Sequence, residues 1–254
     1  MKERHVLGIS GGKDSAALAI YLRDRIPEME YFFTDTGAEL EETLDFIERL
    51  EAYLGKPIER LSPDRDFEHY LKLYGNFLPS PRARWCTREL KLKPFERWIG
   101  DDPVVSYVGI RADENREGYV STKPNIKAVF PFKEDGLVKE DIFRILEESG
   151  VGVPEYYKWR SRSGCYFCFF QRKKEWIGLL NNHPDLFAKA MDFEKYDAET
   201  GKRYTWAQNE SLEELVARAS DIDMMMNERK EKISWQDTLV DDDDDDQACL
   251  ICTL

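Results

Sequence analysis

Apolar residues along the chain gather in short unbroken runs, separated by longer stretches in which they recur every three or four positions. Val6 to Ile9 is too short for a helix and does not alternate with polar residues, the pattern of a strand covered on both faces, and Met29 to Phe33, Pro57 to Leu61 and Val104 to Ile110 read as three further strands. Helical spacing fills the gaps. It predicts a helix through Ala16 to Leu22, with Ala17, Leu18, Tyr21 and Leu22 on one stripe and Asp14 or Ser15 as its cap, and another from about Glu39 to Tyr53 through Leu40, Leu44, Ile47 and Leu50. A short helix is expected within Asp64 to Tyr74, one from Cys86 to about Ile99, a strand over Val129 to Phe132, and a helix over Val138 to Ser149 ending at Gly150. Strands alternating with helices predict an α/β fold, a doubly wound and mostly parallel sheet.

Beyond Gly150 the pattern changes. Residues 173 to 196 and 212 to 232 have helical periodicity, with Trp176, Phe187, Met191, Met224 and Met226 as packing residues and a break at His183-Pro184. Three units follow: an α/β domain over 1–150, a cysteine-bearing segment and helical region over 151–235, and an acidic tail over 236–254, expected to be disordered.

Composition bounds this picture. The 254 residues, 42% hydrophobic, suffice for one α/β domain and a smaller appendage. No apolar stretch approaches the roughly 18 residues that span a bilayer, and the first residues enter the first strand without a signal-peptide core, so a cytoplasmic location without a membrane partner is expected. The net charge of −13 argues against a surface that binds nucleic acid everywhere, but six of those charges are the run Asp241 to Asp246. Arg82, Arg84, Arg88, Lys91 and Lys93 form a local basic cluster, which keeps a nucleic-acid acceptor open. Five cysteines in such a protein read as metal ligands or redox groups before disulfides.

The chemistry concentrates after the first strand. Gly11 and Gly12 let backbone amides converge on an anion, the following helix adds its positive end, and Lys13 supplies a mobile cation; an ordinary strand-to-helix turn is the plain alternative. The loop does not fit the Gly-x4-Gly-Lys-Ser/Thr pattern, because Leu7 stands where its first glycine belongs and Asp14 follows Lys13. Asp35, at the end of the second strand, faces the same crevice and suits Mg²⁺, a ribose hydroxyl or a helix cap. Arg111, leaving the fourth strand, is placed to clamp phosphate or sulfate. Cys165-x-x-Cys168 is a chelating turn, and Cys86, at a helix start, bears on the same edge; together they suit a four-iron cluster with one open iron, or zinc with a fourth ligand.

Ser10-Gly11-Gly12-Lys13-Asp14-Ser15 resembles the PP-loop of the ATP pyrophosphatases and the phosphoadenosine phosphosulfate (PAPS) reductase family. Asp35-Thr36-Gly37 with Glu42-Thr43, the Arg84-x-Cys86 segment, and Gly109-x-Arg111 with Glu114 are similar to further motifs of that family. The run from Tyr157 through Cys165 and Cys168 to Glu175-Trp176 resembles sulfate-reductase-like proteins of DNA phosphorothioation. The resemblance implies an adenine nucleotide alpha-hydrolase-like fold and a nucleotide held by Ser10, Gly11, Gly12, Lys13, Asp14, Ser15, Asp35, Thr36, Gly37, Gly109, Arg111 and Glu114. Catalysis falls to Lys13, Asp14 and Arg111. The implied cofactors are ATP, Mg²⁺ and an iron–sulfur cluster on Cys86, Cys165 and Cys168, of 4Fe-4S type, with zinc as the alternative.

The leading expectation is an ATP pyrophosphatase that adenylates an acceptor for sulfur transfer to a nucleic acid or small molecule. Its sulfur-donor partner would be a cysteine desulfurase or a thioredoxin-like protein, and a homo-oligomer is possible. The alternative is a reductase of adenylyl sulfate or PAPS that produces sulfite, using a tail cysteine, Cys249 or Cys252. A second alternative is a nucleotide-sensing subunit without catalysis.

Overall fold

The computed structural model describes residues 3–115, 123–198, 201–207 and 210–219. The order is β1 (Arg4–Gly8), α1 (Lys13–Leu22), β2 (Glu30–Thr34), α2 (Glu41–Leu54), β3 (Ile58–Leu61) and α3 (Phe67–Leu73). One helical stretch follows, made of α4 (Trp85–Thr87), a π-helical turn (Arg88–Leu92) and α5 (Lys93–Ile99). Then come β4 (Val104–Tyr107), β5 (Ile126–Val129), α6 (Pro131–Glu134), α7 (Lys139–Glu148) and a 3₁₀ turn (Glu155–Lys158). The described chain closes with α8 (Lys173–Asn182), α9 (Pro184–Phe193), the hairpin β6 (Lys195–Asp197) and β7 (Lys202–Tyr204), and α10 (Leu212–Ala217). Among the described residues, no helix is long and apolar enough to cross a membrane.

Five parallel strands form the main sheet, in the order β3-β2-β1-β4-β5. Leu7 of the central strand lies opposite Tyr31 on one side and Tyr107 on the other, which is why β1 is apolar throughout its inner half. The chain runs outward from β1 through β2 to β3, then returns across β1 to β4. Strand order therefore reverses between β1 and β4, and the crevice at their carboxyl ends is where such sheets bind ligands. Leu18, Phe46, Ile47, Ile142 and Leu146 of α1, α2 and α7 cover one face. On the other, Phe95 and Ile99 of α5 pack on Val6, Phe32 and Val104, with the Phe32 and Phe95 rings stacked at 4.8 Å. Burying each such side chain is worth about 1.5–3 kcal/mol.

A third, aromatic cluster holds the rest of the chain. Phe67 meets Trp85 at 5.2 Å, Phe167 at 4.0 Å and Phe193 at 5.1 Å, so α3 and α4 share one core with the cysteine turn and the last helices. That core draws on residues from both sides of position 150.

Several boundaries differ from the sequence expectation, each for a local reason. The strand expected over Val129 to Phe132 lies at 126–129 instead, because Pro131 lacks an N–H for the ladder and starts α6. The fourth strand ends at Tyr107 rather than Ile110, where Ile110 N–H turns back to the Val108 carbonyl. The helical pattern breaks at His183-Pro184 as expected, giving α8 and α9, but it stops at Phe193 and not at 196, where Lys195–Asp197 instead pairs antiparallel with Lys202–Tyr204. The helix expected to 232 begins as α10; the rest of it, Arg116 and the tail with Cys249 and Cys252 lie outside the described residues.

Candidate active site

α1 begins at Lys13 with Gly12 as its cap and no side-chain hydrogen bond there, so neither Asp14 nor Ser15 caps it as expected. Ser15 instead braces the turn. Its hydroxyl accepts from Ser10 N–H at 3.1 Å and donates to the Gly12 carbonyl at 3.2 Å. Gly11 has φ +74°, and a Cβ there would stand 2.4 Å from Thr43 Cγ2 of α2; one on Gly12 would stand 2.8 Å from Ser163 Oγ. The glycines are thus required by close approach of the chain's own side chains. Gly109 serves likewise, since its Cβ would meet the Asp14 carbonyl at 3.0 Å. All three are buried.

The segment before the cysteine turn closes over this corner. Tyr156 hydroxyl donates to the Gly11 carbonyl at 2.7 Å, Lys13 N–H donates to Tyr157 hydroxyl at 3.1 Å, and Ser163 Oγ donates to Ser10 Oγ at 3.3 Å. Thr43 stands in the Glu42-Thr43 motif, but Tyr156 and Ser163 carry no assignment in the sequence. Their partners lie far along the chain, and no local pattern marks them.

The charged residues meet, but not as expected. Lys13 is not a mobile cation: it is buried, with Nζ 3.2 Å from Asp14 and 5.6 Å from the centre of the Tyr157 ring. Arg111 is 1% exposed, with Nη1 3.0 Å from Asp14 and 3.1 Å from Glu114, and Nε 3.0 Å from Asp113. It is therefore not an open anion clamp. Two cations face three carboxylates, and Glu114 serves the guanidinium. Burial alone would raise the Asp14 pKa, but Lys13 and Arg111 outweigh it and hold the carboxyl below the ordinary range. Burial works against the Lys13 charge too, and Asp14 more than restores it.

Asp35 turns one carboxylate oxygen onto its own loop, accepting from Gly37 N–H at 3.0 Å. Thr36 is the link to sulfur. Its hydroxyl donates to Glu39 at 2.6 Å and lies 3.2 Å from Cys165 Sγ, while Tyr166 N–H donates to the Ala38 carbonyl. Arg160, 2% exposed, holds the cysteine turn from beneath through the carbonyls of Gly164 at 3.1 Å and Cys165 at 2.9 Å. Cys86, Cys165 and Cys168 line one cavity of about 30 Å³ with Thr36, Pro79 and Phe170. Burial, then the Glu39 charge, pushes the Cys165 thiol up to about 12.

That shift has a measurable consequence. Alkylation of Cys165 in the intact protein, mapped by mass spectrometry, is expected to rise about tenfold per pH unit from pH 8 upward, because the thiolate reacts and is scarce below the pKa. Glu39→Gln removes a charge that opposes the thiolate and should speed the reaction several-fold at pH 8.

The cavity tests the implied cofactors. Three thiols from two segments are the right donors for a thiophilic metal, but among the described residues no group of three Cys, His, Asp or Glu side chains is arranged to hold an ion. As placed, the three thiols are not gathered around one point, and no chemical step is routed through a metal.

Residues 4–168 match the phosphoadenosine phosphosulfate reductase domain. An uncharacterized protein of Methanocaldococcus jannaschii is 30% identical over 203 residues, 74% of this chain and 41% of that protein. An adenosine 5′-phosphosulfate reductase of Allochromatium vinosum is 36% identical over 110 residues, 41% of this chain and 42% of that protein. The chain spans about half the length of the curated relatives it matches. The crystal structure of a phosphoadenylyl-sulfate (PAPS) reductase from Candida auris, a phosphate complex, superposes with a TM-score of 0.53 at 16% identity, over 65% of this chain and 82% of that one. At that identity the likeness is one of fold.

Proposed function

The chain belongs to the phosphoadenosine phosphosulfate reductase domain family, and from that premise we infer that it binds an adenine nucleotide and transfers its sulfonyl group to a protein thiol. One observation carries the reading: the segment leading into Cys165 and Cys168 is hydrogen-bonded to the Ser10 to Ser15 turn, through Tyr157 to Lys13 N–H and through Ser163 to Ser10. In this reading the first-turn amides of α1 take the phosphate end of adenylyl sulfate or PAPS, the donors that a helix start leaves open. Lys13 and Arg111 hold Asp14 and supply the positive field behind it. A cysteine thiolate attacks the sulfate sulfur, the sulfur–oxygen bond breaks, and its electron pair leaves with the nucleotide phosphate. A second thiol then attacks the first sulfur, releasing sulfite and leaving a disulfide, so two thiols supply the two electrons. In this reading Cys86 is the nucleophile, because burial raises the pKa of the Cys165 thiol, which Thr36 engages at 3.2 Å.

A second reading rests on the rim of the same cavity. Phe170 lies between Arg84 and Arg162, whose guanidinium carbons stand 5.1 and 5.7 Å from its ring centre, an arrangement that suits an anionic, stackable acceptor such as a nucleic acid. There ATP would adenylate the acceptor with loss of pyrophosphate, and sulfur from a donor protein, a cysteine desulfurase or thioredoxin-like partner, would displace AMP. Mg²⁺ and an iron–sulfur or zinc centre belong to that reading as proposals.

One assay separates them. Full-length protein, purified without oxygen, is given adenylyl sulfate with a dithiol reductant, or labelled ATP. Sulfite release that falls to background in Cys86→Ser is expected; pyrophosphate release lost in Lys13→Ala would favour the second reading, and nucleotide binding with neither product would favour a sensing subunit.

A further inference from the structure

We infer that Tyr157 is an internal competitor for the cradle, its hydroxyl holding the Lys13 amide until a ligand oxyanion takes its place. The inference rests on the reading that this turn binds phosphate or sulfate. Three observations carry it.

First, α1 has no side-chain cap, so its leading amide is met from elsewhere in the chain: Lys13 N–H donates to Tyr157 hydroxyl at 3.1 Å, across 144 residues. An amide can only donate, so the phenol oxygen is the acceptor there, in the role a phosphate oxygen takes at a helix start. Second, the two adjacent tyrosines differ in freedom. Tyr156 is fully buried and pinned to the Gly11 carbonyl at 2.7 Å, whereas Tyr157 is half-buried. Tyr156 fixes the segment, and displacement asks only the Tyr157 side chain to turn, giving up its contacts with Lys13 and Tyr156. Third, the Lys13 ammonium already lies over the Tyr157 ring at 5.6 Å, so the cation that a ligand would draw on is engaged by the same side chain.

The exchange is favourable in one direction. A charged oxygen makes a hydrogen bond roughly twice as strong as a neutral phenol does, so phosphate displaces the hydroxyl and an uncharged ligand does not. Breaking the internal bond lowers the affinity of every ligand that needs the Lys13 amide. A ligand without a phosphate escapes that cost, so Tyr157 tunes selectivity for ligands by how strongly their anionic end competes.

Isothermal titration of the full chain with inorganic pyrophosphate, AMP and adenosine tests this. Tyr157→Phe is expected to tighten pyrophosphate and AMP by about 2- to 10-fold, the net worth of one neutral hydrogen bond, and to leave adenosine unchanged. Tyr156→Phe, which loosens the turn without freeing the Lys13 amide, is expected to weaken both anions. If Tyr157→Phe leaves the anions unchanged or weakens them, or if Tyr156→Phe tightens them equally, the inference is overturned. Failure of the underlying reading looks different: neither pyrophosphate nor AMP would then bind the unaltered protein. Melting of both variants with and without pyrophosphate reports whether each folds.

Discussion

Arg111→Ala is expected to cost about 3–5 kcal/mol of folding stability at neutral pH, the loss seen when one partner of a buried charge group is removed. The guanidinium is 1% exposed and stands within 3.1 Å of oxygens from Asp14, Asp113 and Glu114. Without it Asp14 keeps Lys13 alone, and Asp113 and Glu114 lose the guanidinium they both contact. Urea unfolding would measure the loss, and Asp14→Asn in the same background should recover part of it by removing one of the stranded charges. The pH dependence has a definite sign. The Asp14 pKa is lowered in the folded protein, so its contribution is complete above the ordinary carboxyl range and is lost as pH falls through that range toward the folded value. Arg111→Ala removes much of that contribution. The gap between variant and unaltered protein should therefore hold from about pH 7 to about pH 5 and narrow below about pH 4, and a gap that stays constant there would refute the charge explanation.

Gly11→Ala is expected to destabilise the fold by about 2–4 kcal/mol and to abolish nucleotide binding, because it meets two obstacles at once. Its φ of +74° belongs to the left-handed region, and the new Cβ would lie 2.4 Å from Thr43 Cγ2. Thr43 is 1% exposed and fixed on α2, so it cannot swing aside. Thr43→Ser removes the clashing methyl. The double variant should regain the packing part, about 1–3 kcal/mol, and retain the conformational part. Equal instability in the single and double variants would show that the clash carries no weight.

These effects mark where the sequence was readable. The run Val6 to Ile9 followed by two glycines and the Ala16 to Leu22 stripe identified strand, turn and helix without help from the rest of the chain. The chain-order argument that put Cys86 on the same edge as Cys165 and Cys168 agrees with their lining one cavity. The failures share a cause. Arg111 reads as a clamp because its sequence neighbourhood does not show Asp14, 97 positions away, and Lys13 reads as mobile because nothing nearby shows Tyr157 over it. Pro131 displaces the expected strand for a purely local reason, because a proline has no N–H for the ladder and starts a helix instead.

What the sequence alone determined is the parallel α/β sheet and the position of its phosphate-type turn, because apolar period and glycine placement act over a few residues and need no distant partner. Which charges neutralise which, and which hydroxyl holds the first amide of α1, only the tertiary structure decided. Those pairings depend on where segments some 100 to 150 residues apart cross at the sheet edge, and a buried charge or amide takes whichever partner that crossing brings within about 3 Å.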